Sequence, residues 1–143
     1  MPRVFIDTNI PIYAAASDHP LVEPARRVVE ALADGRLDGT TDAEVFQGIL
    51  YRYWHVGQLT TGLQIFDAFA RIMAGRVLAV EEEDVRQARA LAESYPRIPP
   101  RDLIHLALML RHGIEEIVTA DSHFDMVSGI RRLDPGTFPR PRL

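Results

Sequence analysis

Apolar positions along this chain follow two rhythms. Val4, Phe5 and Ile6 form a short unbroken run, and β-branched and aromatic residues in such a run predict a covered strand. VLAV (77–80), IEEIVTA (114–120) and GIRRLDP (129–135) predict three more, and RLDGT (36–40) has room for a short one. Between these runs the spacing becomes helical. Val28, Val29 and Leu32 mark a helix over 21–35, preceded by SDHP (17–20) and ended by Gly35. Val45, Phe46, Ile49, Leu50, Tyr53 and Trp54 mark a second over 40–57, and Leu63, Ile65, Phe66, Phe69, Ile72 and Met73 a third over 61–74. EEEDVRQARALAESY (81–95) carries acids in its first turn, where the helix dipole favours them. After the rigid PRIPP connector, Pro100 opens a last helix that runs to Gly113.

Strands separated by helices predict an α/β domain with a mainly parallel central sheet flanked by helices. Residues 1–143 are expected to form a single domain, with 135–143 an irregular tail. In such a sheet, ligands bind outside the carboxyl ends of the strands. Asp7 directly follows the first strand and Asp121 follows IVTA. Glu44 and Asp102 fall in the first turns of two helices, whose N-termini lie at that same edge. Each acid alone is also explained as a cap, a dipole partner or a turn residue. Four at one edge of one sheet point to a shared site, with Asp125 in ADSHFD as a fifth member.

Carboxylates gathered that closely need a counter-charge. All 16 basic residues are Arg, so no lysine can supply it. The lack of lysine also excludes Walker A phosphate loops, Schiff-base chemistry and the aspartyl-phosphate families that depend on a lysine. The lack of cysteine excludes disulfides, thiolate zinc sites and cysteine nucleophiles. What remains is arginine or a divalent cation, and all-oxygen ligation suits Mg²⁺ or Mn²⁺. Such ions work with phosphates, by polarising the phosphoryl oxygen and activating water, which predicts a phosphodiesterase or nuclease. The formal net charge of −4 speaks against a nucleic-acid partner only until several acids are assigned to one ion.

FIDTNI, the Glu44 helix, PRDLIHLALML and IVTADSHFD, in that order over nearly the whole chain, resemble the PIN-domain ribonucleases, especially the VapC-type toxins of bacterial toxin–antitoxin pairs. The resemblance implies a PIN-like fold and Mg²⁺- or Mn²⁺-dependent cleavage of RNA by an activated water, leaving a 3′-hydroxyl and a 5′-phosphate. It implies that Asp7, Glu44, Asp102 and Asp121 are the acidic metal-binding set, with Asp125 an additional acid. Asn9 and Thr119 match polar positions that hold those carboxylates. Asp42 is the nearest substitute should Glu44 not take part. A homodimer and a cognate antitoxin are further implications. The alternatives are a non-catalytic PIN-like module that binds protein or RNA, and a metal-dependent DNA nuclease; the complete acidic set favours a nuclease.

Other residues suggest further roles. None of the five histidines shows HExxH spacing, the closest pair being His105 and His112, and His105 is placed to orient Asp102 or simply to pack. Arg131, Arg132, Arg140 and Arg142 are candidates to grip RNA phosphates, set against a solvated basic tail. Tyr51, Tyr53, Trp54, Phe66 and Phe69 suggest a groove for a partner helix, although core packing accounts for most of them. No apolar run reaches the ~18 residues of a membrane span. The N-terminus lacks a signal-peptide layout, so the cytoplasm is expected.

Overall fold

In the computed structural model, which describes residues 3–137, one sheet is built from β1 (Val4–Ile6), β2 (Gly39–Asp42), β3 (Val77–Leu78), β4 (Glu116–Val118) and β5 (Arg131–Leu133). Their spatial order is β3-β2-β1-β4-β5, and every pairing is parallel. Six helices surround it: α1 (Asn9–Ala15), α2 (Val22–Ala33), α3 (Ala43–His55), α4 (Leu59–Ile72), α5 (Glu82–Ser94) and α6 (Pro100–Arg111). A short 3₁₀ turn spans Ser122–Met126. The α/β reading with a parallel sheet therefore holds. Arg140 and Arg142, and most of the expected irregular tail, lie outside the described residues.

The central strand β1 is buried along its length, so its three residues are all apolar rather than alternating. Phe5, Ile6, Ile10, Val28, Leu32, Val45, Ile49 and Ile117 belong to the main core around it. A smaller cluster of Ala88, Ile98, Leu103, Leu106 and Val127 fills the space around α5 and α6. Among the described residues no helix is long and apolar enough to cross a membrane.

Two local departures from the sequence pattern bear on the site. The helix α1 carries no amphipathic signal, because NIPIYAA is only two turns long; Pro11 is tolerated there because a helix's first turn needs no N–H. The second strand covers 39–42 rather than 36–40, taking TTD, whose residues resemble helix caps, into the sheet. Its hydroxyls make that possible: Thr41 Oγ1 donates to the Ile6 carbonyl at 2.9 Å and Thr40 Oγ1 to the Arg76 carbonyl at 2.9 Å. Asp42 ends the strand and caps α3 at once, accepting from the Val45 N–H at 3.0 Å. Gly48 lets α3 pass close to the residue after Asp7, since a Cβ there would come within 3.1 Å of the Thr8 methyl.

Candidate active site

From β1 the chain moves outward through β2 to β3, then returns to lay β4 on the other side of β1. The reversal opens a crevice between the carboxyl ends of β1 and β4. Asp7 and Asp121 emerge at its two sides, and α6 brings Asp102 in its first turn.

Polar neighbours hold Asp7, which is only 2% exposed, in place. Its Oδ1 accepts from the Thr8 N–H at 2.7 Å, and its Oδ2 accepts from Thr119 Oγ1 at 2.7 Å. Asn9 Nδ2 donates to Thr119 Oγ1 at 3.0 Å, while Asn9 Oδ1 accepts from the Ala120 N–H at 3.3 Å. Thr119 Oγ1 also accepts from the Asp121 N–H at 3.0 Å. The ends of β1 and β4 are thus tied together through Asp7, Asn9 and Thr119.

Beneath the acids sits His105, fully buried on α6. Its Nδ1–H donates to Asp42 Oδ2 at 2.7 Å. Its Nε2 has no hydrogen bond and lies 3.8 Å from Asp7 Oδ1 and 3.9 Å from Asp102 Oδ1. Burial opposes charging this ring, but the hydrogen bond to Asp42 and the fields of Asp42, Asp7 and Asp102 outweigh it and raise its pKa to about 9. At neutral pH a ring with that shift offsets part of the negative charge of the acids around it. Burial and the nearby Asp7 push Asp102 up to about 6, against the lowering influence of His105 and His123. His123 Nε2 stands 3.0 Å from Asp102 Oδ2, out of line for a hydrogen bond.

Asp7, Asp102 and His105 each offer one ligand atom, all within 4.8 Å of one another, and Asp102, Asp121 and His123 do the same. Carboxylates crowded around a buried nitrogen without a partner fit a divalent cation. The structure thus brings three of the four expected acids to one point. Glu44 stays at the margin, half-buried at the start of α3; burial raises its carboxyl pKa, while His105 and Arg101 counter this. Asp42, the substitute for Glu44, is already engaged as the α3 cap and the partner of His105.

Asp125 faces away from this cluster. Both its oxygens are held by Arg132, through Nε at 2.9 Å and Nη2 at 3.2 Å. Arg132 also bonds Asp134 and the Thr119 carbonyl, so its guanidinium braces the end of β4 instead of facing solvent. Arg131 opens β5 at the opposite edge of the sheet and pairs with Glu116. The cations at the cleft are Arg52 and Arg101, neither with a hydrogen bond or ion pair among the described residues. They line a cleft of about 280 Å³ together with Asp7, Asp102, Asp121, Tyr51 and His55. A larger hollow of about 790 Å³, lined by Arg3, His112, Glu115 and Arg131, holds none of the expected catalytic acids.

Neither His123 nor the closeness of His105 to Asp7 and Asp102 stands out in the sequence. The available signals were weak: His123 lies two residues after Asp121, and His105 lies one helical turn after Asp102. Of the five aromatics, Tyr53 and Phe69 are buried and Phe66 packs edge-on against Phe46. Tyr51 stacks on His55 at the cleft, with ring centroids 5.7 Å apart, and Trp54 is exposed.

Residues 4–130 match the sequence profile of the PIN domain. Ribonuclease VapC13 of Mycobacterium tuberculosis is 35% identical over 130 residues, covering 91% of this chain and 98% of the relative. Ribonuclease VapC23 of the same species is 37% identical over 121 residues, covering 82% and 92%. The DNA-bound VapBC structure from Salmonella typhimurium superposes with a TM-score of 0.71 at 19% identity, covering 94% of this chain and 99% of that one.

Proposed function

This chain belongs to the PIN-domain family, and on that premise we propose that it is the endoribonuclease toxin of a type II toxin–antitoxin pair, hydrolysing RNA phosphodiester bonds with Mg²⁺ or Mn²⁺. The observation that carries the reading is the convergence of Asp7, Asp102 and Asp121 in one cleft at the sheet's switch point. We assign Glu44 to the same centre from the α3 side, where it feels both His105 and Arg101. A bound divalent cation would polarise a phosphoryl oxygen and activate water near neutral pH.

The chain's own residues supply the rest. Asp7 is fixed by Thr8, Thr119 and Asn9, so its carboxylate is already in place before substrate arrives. Arg52 and Arg101 meet RNA phosphates, for which a free guanidinium is well suited. The stacked Tyr51 and His55 rings offer a surface for an unpaired base. We infer the family's homodimer and a cognate antitoxin for this chain, in keeping with the VapC names of its relatives and the VapBC neighbour. Exposed Trp54, Val56, Leu59 and Leu63, around the α3–α4 turn, suit such a protein contact. We further propose that it works as a single domain and acts in the cytoplasm, where its RNA substrate would be met.

Two measurements test this reading. Purified protein incubated with mixed cellular RNA is expected to cut it with Mg²⁺ or Mn²⁺, leaving 5′-phosphates, and to leave it intact in EDTA; undiminished cleavage in EDTA would overturn the metal-dependent reading. Binding of a fluorescent single-stranded RNA in EDTA, followed across salt concentrations, tests the arginines. Arg52→Ala and Arg101→Ala are each expected to weaken binding and to reduce the salt slope by about 0.7 for each phosphate no longer neutralised. Unchanged slopes in both variants would move the phosphate track elsewhere.

A further inference from the structure

His105 has an environment that packing alone does not explain. It is fully buried, and its Nε2 has no hydrogen-bond partner. A buried polar nitrogen without a partner is costly, and native proteins rarely leave one. The surroundings offer two acceptors, Asp7 Oδ1 and Asp102 Oδ1, yet Nε2 stays 3.8 and 3.9 Å away. Those separations are too long for a hydrogen bond to either carboxylate. They lie between the roughly 3.0 Å that separates adjacent ligands and the roughly 4.2 Å that separates opposite ones around an octahedral ion with bonds of about 2.1 Å, so a shift of a few tenths of an ångström lets the three atoms share one ion. On the other side of the ring, Asp42 accepts from Nδ1–H at 2.7 Å. With an ion in place of the Nε2 proton, that bond fixes the tautomer that aims a bare Nε2 at the site, as in the carboxylate–histidine–metal arrangement.

We propose that His105 Nε2 is a direct metal ligand, completing an Asp7–Asp102–His105 site, so that the centre is a mixed nitrogen–oxygen one that favours Mn²⁺ over Mg²⁺. This rests on the metal-dependent reading above and deepens it. Nitrogen ligation matters to selectivity because Mg²⁺ prefers all-oxygen surroundings, whereas first-row transition ions accept imidazole readily. Asp42 then acts as a positioning residue, orienting the ring through Nδ1. His123, 21% exposed on the Asp121 side of Asp102, is the rival nitrogen donor.

The test is pulsed electron paramagnetic resonance of Mn²⁺ bound to the unmodified protein, with Mn²⁺ dissociation constants for His105→Gln, His123→Gln and Asp7→Asn. The expected result is a nitrogen-14 coupling to bound Mn²⁺ that His105→Gln removes and His123→Gln leaves in place. His105→Gln is also expected to weaken Mn²⁺ binding by at least about tenfold, comparable to losing an outer partner of a metal ligand, and to weaken Mg²⁺ competition less. Because the coupling is read first in the unmodified protein, a failure of His105→Gln to fold does not remove the test. Bound Mn²⁺ that depends on Asp7 but shows no nitrogen coupling overturns the proposal and leaves the carboxylate metal site standing. A coupling lost in His123→Gln and kept in His105→Gln overturns it in favour of the rival. Absence of Mn²⁺ binding, or binding indifferent to Asp7→Asn, sinks the metal site and this inference together.

Discussion

Asp7→Asn is expected to abolish RNA cleavage while the protein stays folded. The substitution keeps the side chain's size and its Oδ1, so the Thr8 N–H retains an acceptor. It removes the charge at the place where Asp7, Asp102 and Asp121 converge. On the proposed reading Asp7 binds the metal directly, and its loss should then exceed the roughly 10–100-fold cost of losing a group that merely supports a ligand. An activity loss of at least about 10³-fold, near 4 kcal/mol of transition-state stabilisation, is therefore the expected size. Stability should change little, because relief of the repulsion with Asp102 is set against loss of the field that favours the His105 cation and of the acceptor for Thr119. The assay is cleavage of mixed cellular RNA with Mn²⁺, beside thermal unfolding in EDTA. A variant that cleaves as fast as its parent would place the chemistry elsewhere. A variant that unfolds would show that Asp7 is a structural carboxylate first.

The second large effect is one of stability, at Asp42→Asn. Asparagine keeps an oxygen for the Val45 N–H, so the cap on α3 survives. What it removes is the anion that compensates the buried His105 ring. Breaking a buried ion pair from one side typically costs about 3–5 kcal/mol. The pH profile of the parent should show the same pair. His105 has a folded pKa of about 9 against an ordinary value of 6.5, so the folded protein holds the proton more tightly than the unfolded chain. Its contribution is fully present below pH 6.5 and is lost as pH rises through about 9. That loss amounts to something on the order of 3 kcal/mol. Asp102 adds to the trend in a lower window: its folded pKa is raised from 3.8 to about 6, so stability also falls as pH climbs across that range. Urea unfolding in EDTA at pH 6.5 and at pH 9 measures the His105 effect. Asp42→Asn should be less stable at pH 6.5 and nearly flat between the two. Equal stability of parent and variant at both pH values would show that the pair contributes nothing net.

Parts of this site are legible in the sequence because they follow from local chemistry. An apolar run ending in Asp, as in VFID and IVTAD, places a carboxylate at the end of a strand in any parallel α/β sheet. The helix starting at Pro100 places Asp102 in its first turn for the same local reason. Asn9 and Thr119 are legible as companions only through the resemblance to a known pattern; in the structure both hydrogen-bond around Asp7.

Longer-range partnerships had no local signature. Asp42 looked like a helix cap and is one, but its second oxygen belongs to a histidine 63 positions later. Asp125 and Asp121 share the same short motif, yet the 3₁₀ turn between them sends one toward Arg132 and the other toward the cleft. In the Arg-rich stretch at 131–132, β5 register places both guanidinium groups beside neighbouring acids, Arg131 at the far edge of the sheet and largely exposed, while Arg52 and Arg101 line the cleft. Periodicity and residue chemistry, acting within a few residues, determined the strands, most of the helices and the edge of the sheet where the acids gather. Which side chains meet across that edge, and which charges are used up before any ligand arrives, was decided by strand register and helix packing, because those fix distances between residues that the chain order leaves free.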